Sequence, residues 1–252
     1  MGGQLTAWAI DLDGVIWRGT ETVPGAPEAI ELLRRDGAPL AFVTNSAART
    51  PRQVAEKLAS HGIPDAEDFV VTAAMAAAAM VEPGQRVLMV GSDGLRQALL
   101  ERGADLVESG TVDVVAVGIT PDFDYAAMTA AMRAVRSGAR FIATNDDATF
   151  PDADGLLPGN GALVAAIATC AEQVPEIAGK PHAPIAAFVR DRLGDTGIMV
   201  GDRPETDGRF AVSVGYDFAL VLSGVVGVGD LPVEPTPQFV ADDILSLVRR
   251  VH

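Results

Sequence analysis

Cysteine is almost missing from this chain. The single Cys170 among 252 residues rules out an internal disulfide, and with it a small fold stapled by disulfides. No histidine lies near Cys170 in sequence, so the thiol reads as helix packing within "ALVAAIATCAEQV". Long apolar runs are missing too. The longest, "AAMAAAAMV", is far short of the roughly 20 residues that cross a bilayer. The amino terminus, "MGGQLTAWAIDLD", has neither the basic nor the apolar block of a secretion signal, so the cytoplasm is the expected compartment. Basic residues are scarce. With 19 Lys and Arg against 34 Asp and Glu, the net charge of −15 argues against nucleic acid or an anionic membrane as partner. It does not exclude a small anionic ligand, because screening leaves the groups lining a pocket in control. The three histidines, His61, His182 and His252, form no cluster with metal-ligand spacing.

What the chain does have is an apolar stretch that ends in acids. "AWAIDLDGVIW" reads as a strand buried on both faces, over about Leu5–Leu12, and it runs into Asp11, Asp13 and a glycine. Carboxylates at the exit of a buried strand are costly unless something cationic stands between them.

Strand and helix alternate on either side of a long middle block. After the first strand come a helix over about Ala26–Arg35, a strand over Leu40–Thr44, and a helix opening at "TPRQ" and ending at Gly62. The last third repeats the pattern with helix "APIAAFVRDRLG", strand "GIMVGD", strand "FALVLSG" and a terminal helix "DDILSLVRRV". Such alternation implies a doubly wound parallel sheet, Rossmann-like, with helices on its faces. The middle block has its own strands ("RVLMV", "VDVVAVG", "ARFIATN") and its own helices, and its roughly 100 residues suffice for a domain. The expected organisation is a core over residues 1–78 and 179–252, interrupted by an inserted α/β domain over 79–178. "FVTN" and "FIATN" echo each other, which is weak ground for a duplication.

Four polar signals stand at strand ends or just before helices: "DLDG", "VTNS", "AGKPH" and "VGDRPETD". Ligands of open parallel sheets bind at the carboxyl ends of the strands, so three of these four signals converge there, and the lysine can join them. The inventory is Asp11, Asp13, Thr44, Asn45, Lys180, Asp202 and Asp207. Several carboxylates in one crevice repel. An oxygen-loving dication such as Mg²⁺ resolves this, leaving a lysine and a hydroxyl for phosphate oxygens. Lys180 is conspicuous in a chain of 17 arginines and two lysines. In the middle block, "NDDATFPDAD" leaves two readings open: a substrate loop bringing Asn145 and Asp147 near the site entrance, or a solvated connection. "GVVGVGD" has the look of a nucleotide-binding glycine loop but lacks a following βα unit, and is set aside.

"DLDGV", "TNS", "GKP" and "GDRPETD", in this order, resemble the four motifs of the haloacid dehalogenase-like phosphatases. The insertion between the second and third resembles the cap of their class IIA branch, the 4-nitrophenylphosphatase/NagD-like proteins. The resemblance implies a Mg²⁺-dependent phosphatase acting on a small phosphorylated metabolite. Asp11 would be the nucleophile and a metal ligand, and Asp13 the general acid and base, binding Mg²⁺ through its main-chain carbonyl. Thr44 and the Asn45 main chain would hold the phosphoryl group, with Lys180 bridging it to Asp11. Asp202 would bind the metal directly and Asp207 one layer out, with Asn145 among the substrate contacts. Caps of this branch can mediate dimers, which leaves a homodimer open. Ser46 stands where the branch often has a second Asn, and the acid of the fourth motif is Glu205. A phosphotransferase or mutase, and a phosphate-binding regulator without turnover, are the alternatives. Dehalogenase members lack the second aspartate of the first motif, so Asp13 argues against that branch.

Overall fold

The computed structural model describes residues 5–152 and 155–251. His252 and the Ala153–Asp154 part of "NDDATFPDAD" lie outside the described residues. In chain order the elements begin with β1 (Ala7–Ile10), β2 (Trp17–Arg18), β3 (Glu21–Thr22), α1 (Ala26–Arg35), β4 (Leu40–Thr44), α2 (Pro51–Ser60), β5 (Val70–Thr72) and α3 (Ala73–Ala79). The middle of the chain forms β6 (Arg86–Val90), α4 (Asp93–Glu101), β7 (Asp105–Leu106), β8 (Val114–Val117), α5 (Tyr125–Arg136) and β9 (Arg140–Ala143). It continues through β10 (Thr149–Asp152), β11 (Gly155–Pro158), α6 (Asn160–Ala171) and β12 (Glu176–Ile177). The chain then closes with α7 (Ala183–Leu193), β13 (Gly197–Gly201), α8 (Arg209–Val214), β14 (Asp217–Val221), β15 (Phe239–Ala241) and α9 (Ile244–Val251).

Two compact units result. The first comprises residues 1–44, 52–71 and 180–252, and the second 45–51 and 72–179. The first unit holds a six-stranded sheet in the order β15-β14-β13-β1-β4-β5. β1 pairs in parallel with β4 and β13, β13 with β14, and β14 with β15. The chain steps outward from β1 on one side and returns at β13 on the other. The order therefore reverses at β1, the place where doubly wound sheets open a crevice beyond their carboxyl ends. All four residues of β1 are buried, as are all five of β4, which is why both read as continuous apolar runs. Trp8, Ile10, Phe42, Leu33 and Val200 belong to one core with Ile244 and Leu247 of α9.

The second unit carries a five-stranded parallel sheet, β12-β9-β8-β6-β7. Its core joins Val115, Val117 and Phe141 to Val135 of α5 and Ile167 of α6. The longest apolar run, "AAMAAAAMV", forms α3, with Ala73, Ala74, Ala76, Ala77 and Ala78 buried and Thr72 accepting from Met75 N at 3.2 Å. By contact this helix belongs with the second unit rather than the first.

Two local features depart from the sequence reading. β1 stops at Ile10 rather than Leu12, because Gly14 adopts φ +81° and turns the chain back, with Ile16 N donating to Leu12 O at 2.8 Å. Within "NDDATFPDAD", Thr149–Asp152 is strand β10, which pairs with β11 as an antiparallel ribbon, Thr149 opposite Pro158 and Phe150 opposite Leu157.

Candidate active site

Strand ends deliver the acids. Ile10 of β1 pairs with Val200 of β13, and Asp11 N donates to Val200 O at 2.9 Å, so Asp11 and Asp202 leave adjacent strands together. Asp207 arrives from the turn that follows β13, its N–H donating to Arg203 O at 2.7 Å. Lys180 stands just before α7, and its stem is buried with its head.

The side chains meet closely. Lys180 Nζ donates to Asp11 Oδ1 at 2.6 Å and to Asp207 Oδ1 at 2.7 Å. The other oxygen of Asp207 accepts from the N–H groups of Asp202 and Arg203, at 3.2 and 3.1 Å. Asp207 thus pins its own turn and the ammonium at once. Carboxylate oxygens of Asp11, Asp202 and Asp207 lie within 4.8 Å of one another.

The charges do not balance. Three buried carboxylates face one ammonium, and each close like-charge pair repels by about 4 kcal/mol at 4 Å for an effective dielectric near 20. Burial, first of all, pushes the Asp11 carboxyl well above the usual range. Lys180 pulls it back, and Asp207, Asp202 and Asp13 drive it up again. Burial and then the charge of Asp207 lift Asp202 to about 6, against the N–H of Val225. Burial works against the charge of Lys180 as well, but Asp11 and Asp207 outweigh it and hold the ammonium above its ordinary range. The cluster therefore lacks positive charge. It also has an open ligand atom, since Asp202 Oδ1 is buried without a hydrogen-bond partner. An all-oxygen set of this kind suits a hard dication such as Mg²⁺.

One contributor escaped sequence reasoning. The segment after β14 folds over Asp202: Val225 N donates to its Oδ2 at 2.8 Å, and Ser223 Oγ donates to Gly14 O at 2.7 Å. A Cβ at Gly14 or at Gly224 would collide with the Asp202 carboxylate, so both glycines are places where main chain closes on that acid. The glycine of "DLDG" was visible as a motif. Gly224 lies in "GVVGVGD", which lacks the βα unit of a nucleotide loop and instead lets main chain close on Asp202.

The remaining expected residues are placed as follows. Thr44 ends β4 and is buried. Asp13 is exposed, and its Oδ1 accepts from Trp17 Nε1 at 2.9 Å. Asn45 and Asn145 belong to the second unit. There Asn45 Nδ2 donates to the Asp147 carboxylate at 3.0 Å, Asn145 Nδ2 donates to Asn45 O at 2.8 Å, and Asn145 Oδ1 accepts from Asp147 N at 3.2 Å. Asn145, expected among the substrate contacts, thus has both ends of its amide on main chain.

Family models described as "Haloacid dehalogenase-like hydrolase" and "HAD-hyrolase-like" match residues 8–105 and 177–247. The acid sugar phosphatase of Staphylococcus epidermidis is 37% identical over 237 residues, covering 92% of this chain and 92% of that protein. The chain belongs to the haloacid dehalogenase-like hydrolases. A p-nitrophenyl phosphatase from Archaeoglobus fulgidus superposes with a TM-score of 0.92 at 30% identity, covering 99% of this chain and 100% of that one. A glycerol phosphate phosphatase from Mycobacterium tuberculosis, solved with calcium, superposes with a TM-score of 0.89 at 34% identity, covering 96% of this chain and 74% of its own. The same protein has been solved with magnesium. Within the family this chain is a NagD-like phosphoric monoester hydrolase, with an α/β cap domain inserted into the core fold. Among the described residues, no helix is long and apolar enough to cross a membrane.

Proposed function

We propose that the protein is a magnesium-dependent phosphatase that hydrolyses a small polyol or sugar phosphate through an aspartyl-phosphate on Asp11. The observation that carries this reading is Lys180 Nζ at 2.6 Å from Asp11 and 2.7 Å from Asp207, inside a cluster of three acids that still lacks positive charge. The relatives' names, acid sugar phosphatase and glycerol phosphate phosphatase, support the substrate class.

Asp11 and Asp202 would hold the metal through their carboxylates and Asp13 through its main-chain carbonyl. Both oxygens of Asp207 are already engaged by protein donors, which favours a place one layer out. Bound magnesium offsets the charge of the carboxylates and of the phosphate oxygens. Asp11, held by Lys180, attacks phosphorus with one carboxylate oxygen as the bond to the ester oxygen breaks. Asp13 gives its proton to the departing alkoxide. It then takes a proton from the water that attacks the aspartyl-phosphate, releasing inorganic phosphate and restoring Asp11. The hydroxyl of Thr44 and the N–H of the next residue, Asn45, hold the transferring oxygens, and the residue 79–178 insertion serves as the cap.

The test is phosphate release from 4-nitrophenyl phosphate and glycerol phosphate with and without Mg²⁺. Turnover should require the metal and fall by about three to six orders of magnitude in Asp11→Asn. Metal-independent release, or release that survives Asp11→Asn, overturns the reading.

A further inference from the structure

We infer that Trp17 is a positioning residue for Asp13, holding its carboxylate in one orientation while it passes the proton; this rests on the role proposed for Asp13 above. The observation is a bond that the four motifs do not include. After β1 the chain turns back at once, Gly14 N donating to Trp17 O at 2.7 Å and Trp17 N to Leu12 O at 3.2 Å. That return sets the indole Nε1 at 2.9 Å from Asp13 Oδ1. Indole offers a single N–H and no acceptor, so the bond fixes one carboxylate oxygen and leaves the other for the proton. Asp13 is otherwise exposed, where an aspartate without a partner samples its rotamers freely.

The indole itself is held. Trp17 is only 2% exposed. The His61 ring stacks on it at 5.0 Å between centroids and 28° between planes, and Lys57 Nζ lies 4.0 Å from the indole centroid. His61 is fixed in turn by Thr22, whose Oγ1 lies 2.7 Å from Nδ1. Thr22 is also the cross-strand partner of Trp17 in the β2–β3 ribbon. A ribbon of two-residue strands has little stability of its own, so the indole is held at Asp13 by these ring contacts and by its place in the buried core of the first unit. One of the chain's two lysines is used in this assembly, and Lys180 is the other.

In the phosphoryl-transfer step, which kcat/KM reads, orienting the proton donor matters only when the leaving group needs a proton. An alkoxide leaving from glycerol phosphate does; 4-nitrophenolate, a stable anion, does not. In Trp17→Phe, which keeps an aromatic ring and removes the N–H, kcat/KM for glycerol phosphate should fall about ten-fold, while that for 4-nitrophenyl phosphate stays within about two-fold. A merely structural role would lower both alike, and an even loss overturns the inference. The bond can also be read with Trp17 intact. The chain has two tryptophans, and the Trp8 Nε1 is buried without a partner. In folded Asp13→Ala, the Trp17 indole ¹H–¹⁵N resonance should shift and the Trp8 resonance should not. An unmoved Trp17 resonance overturns the inference even if Trp17→Phe fails to fold. Asp13→Ala also separates the two layers of argument. If it spares glycerol phosphate turnover, the proposed role of Asp13 falls. If it abolishes that turnover while Trp17→Phe loses both substrates evenly, only the role of Trp17 falls.

Discussion

Strands β4 and β9 both run out into Thr-Asn, Thr44–Asn45 in one case and Thr144–Asn145 in the other, at the carboxyl edge of a parallel sheet. In the sheet that holds β4, the ends of β1 and β13, the turn after β13 and the segment before α7 supply three carboxylates and a lysine. Beside β9 the partners are amides, a hydroxyl and the Asp147 carboxylate, which accepts from Asn45 Nδ2 at 3.0 Å. Asn160 Nδ2 donates to Asn145 O at 2.8 Å and to Thr144 Oγ1 at 3.3 Å, and Asn145 reaches Asn45 O. The amide network closes on the main chain, and its loose end, the buried Asn160 Oδ1, is neutral. The acid cluster cannot close on itself, because burial leaves its excess charge uncompensated. The same local sequence therefore ends in scaffolding at one sheet and, at the other, beside the acid cluster proposed above to take a cation and a phosphate. What distinguishes them is charge that the protein does not satisfy, and that is the mark of a binding site.

The comparison breaks most visibly at Lys180. Lys180→Met removes the only ammonium from three buried acids and should cost about 3–5 kcal/mol of unfolding free energy in metal-free protein, along with turnover. Urea denaturation measures it, and an unchanged midpoint would show that the acids do not need their counter-charge. Next in size is the metal. Mg²⁺ at a hundred times its dissociation constant should stabilise the folded protein by about 2.7 kcal/mol, and Asp202→Asn should abolish most of that gain. Differential scanning calorimetry with Mg²⁺ or with EDTA reads both. Asn160→Ala sharpens the other side: loss of the buried amide should cost about 2 kcal/mol and leave the magnesium-induced shift intact. A reduced magnesium shift in that variant would mean that the two networks are not separate.

The smallest effect is a pH dependence. Burial, and then the charge of Lys57, hold His61 below its ordinary value of 6.5. The unfolded chain then takes up the proton first as pH falls. Stability contributed by neutral His61 is complete above about 6.5 and is lost as pH drops through that value toward the folded one. The stability difference between the wild type and His61→Gln should therefore shrink between pH 7.5 and pH 5. Equal differences at both pH values would count against a neutral His61 on the indole.

Much of this could be read along the chain. Strands such as β1 and β4 are legible because burial on both faces writes itself as an apolar run, and helices such as α9 because one face packs. Asp11, Asp202 and Asp207 stand at or just past strand ends, where topology brings them to one edge, whereas Lys180 stands before α7 and can join them. The two-residue strands β2, β3, β7 and β12 were not legible, since two residues carry no periodicity. Nor was the ribbon β10–β11, whose strands "TFPD" and "GLLP" are four residues each and broken by proline and glycine.

Sequence alone determined the chemistry available to this protein: which oxygens, which ammonium, and at which strand ends, because strand exits are set by short-range patterning. Only the tertiary structure decided how those groups are held. The hydrogen bond of Asn145 to Asn45 spans 100 residues, and that of Val225 to Asp202 spans 23. Such partners are chosen by the approach of segments distant in the chain, and no local pattern encodes a distance of 2.8 Å between them.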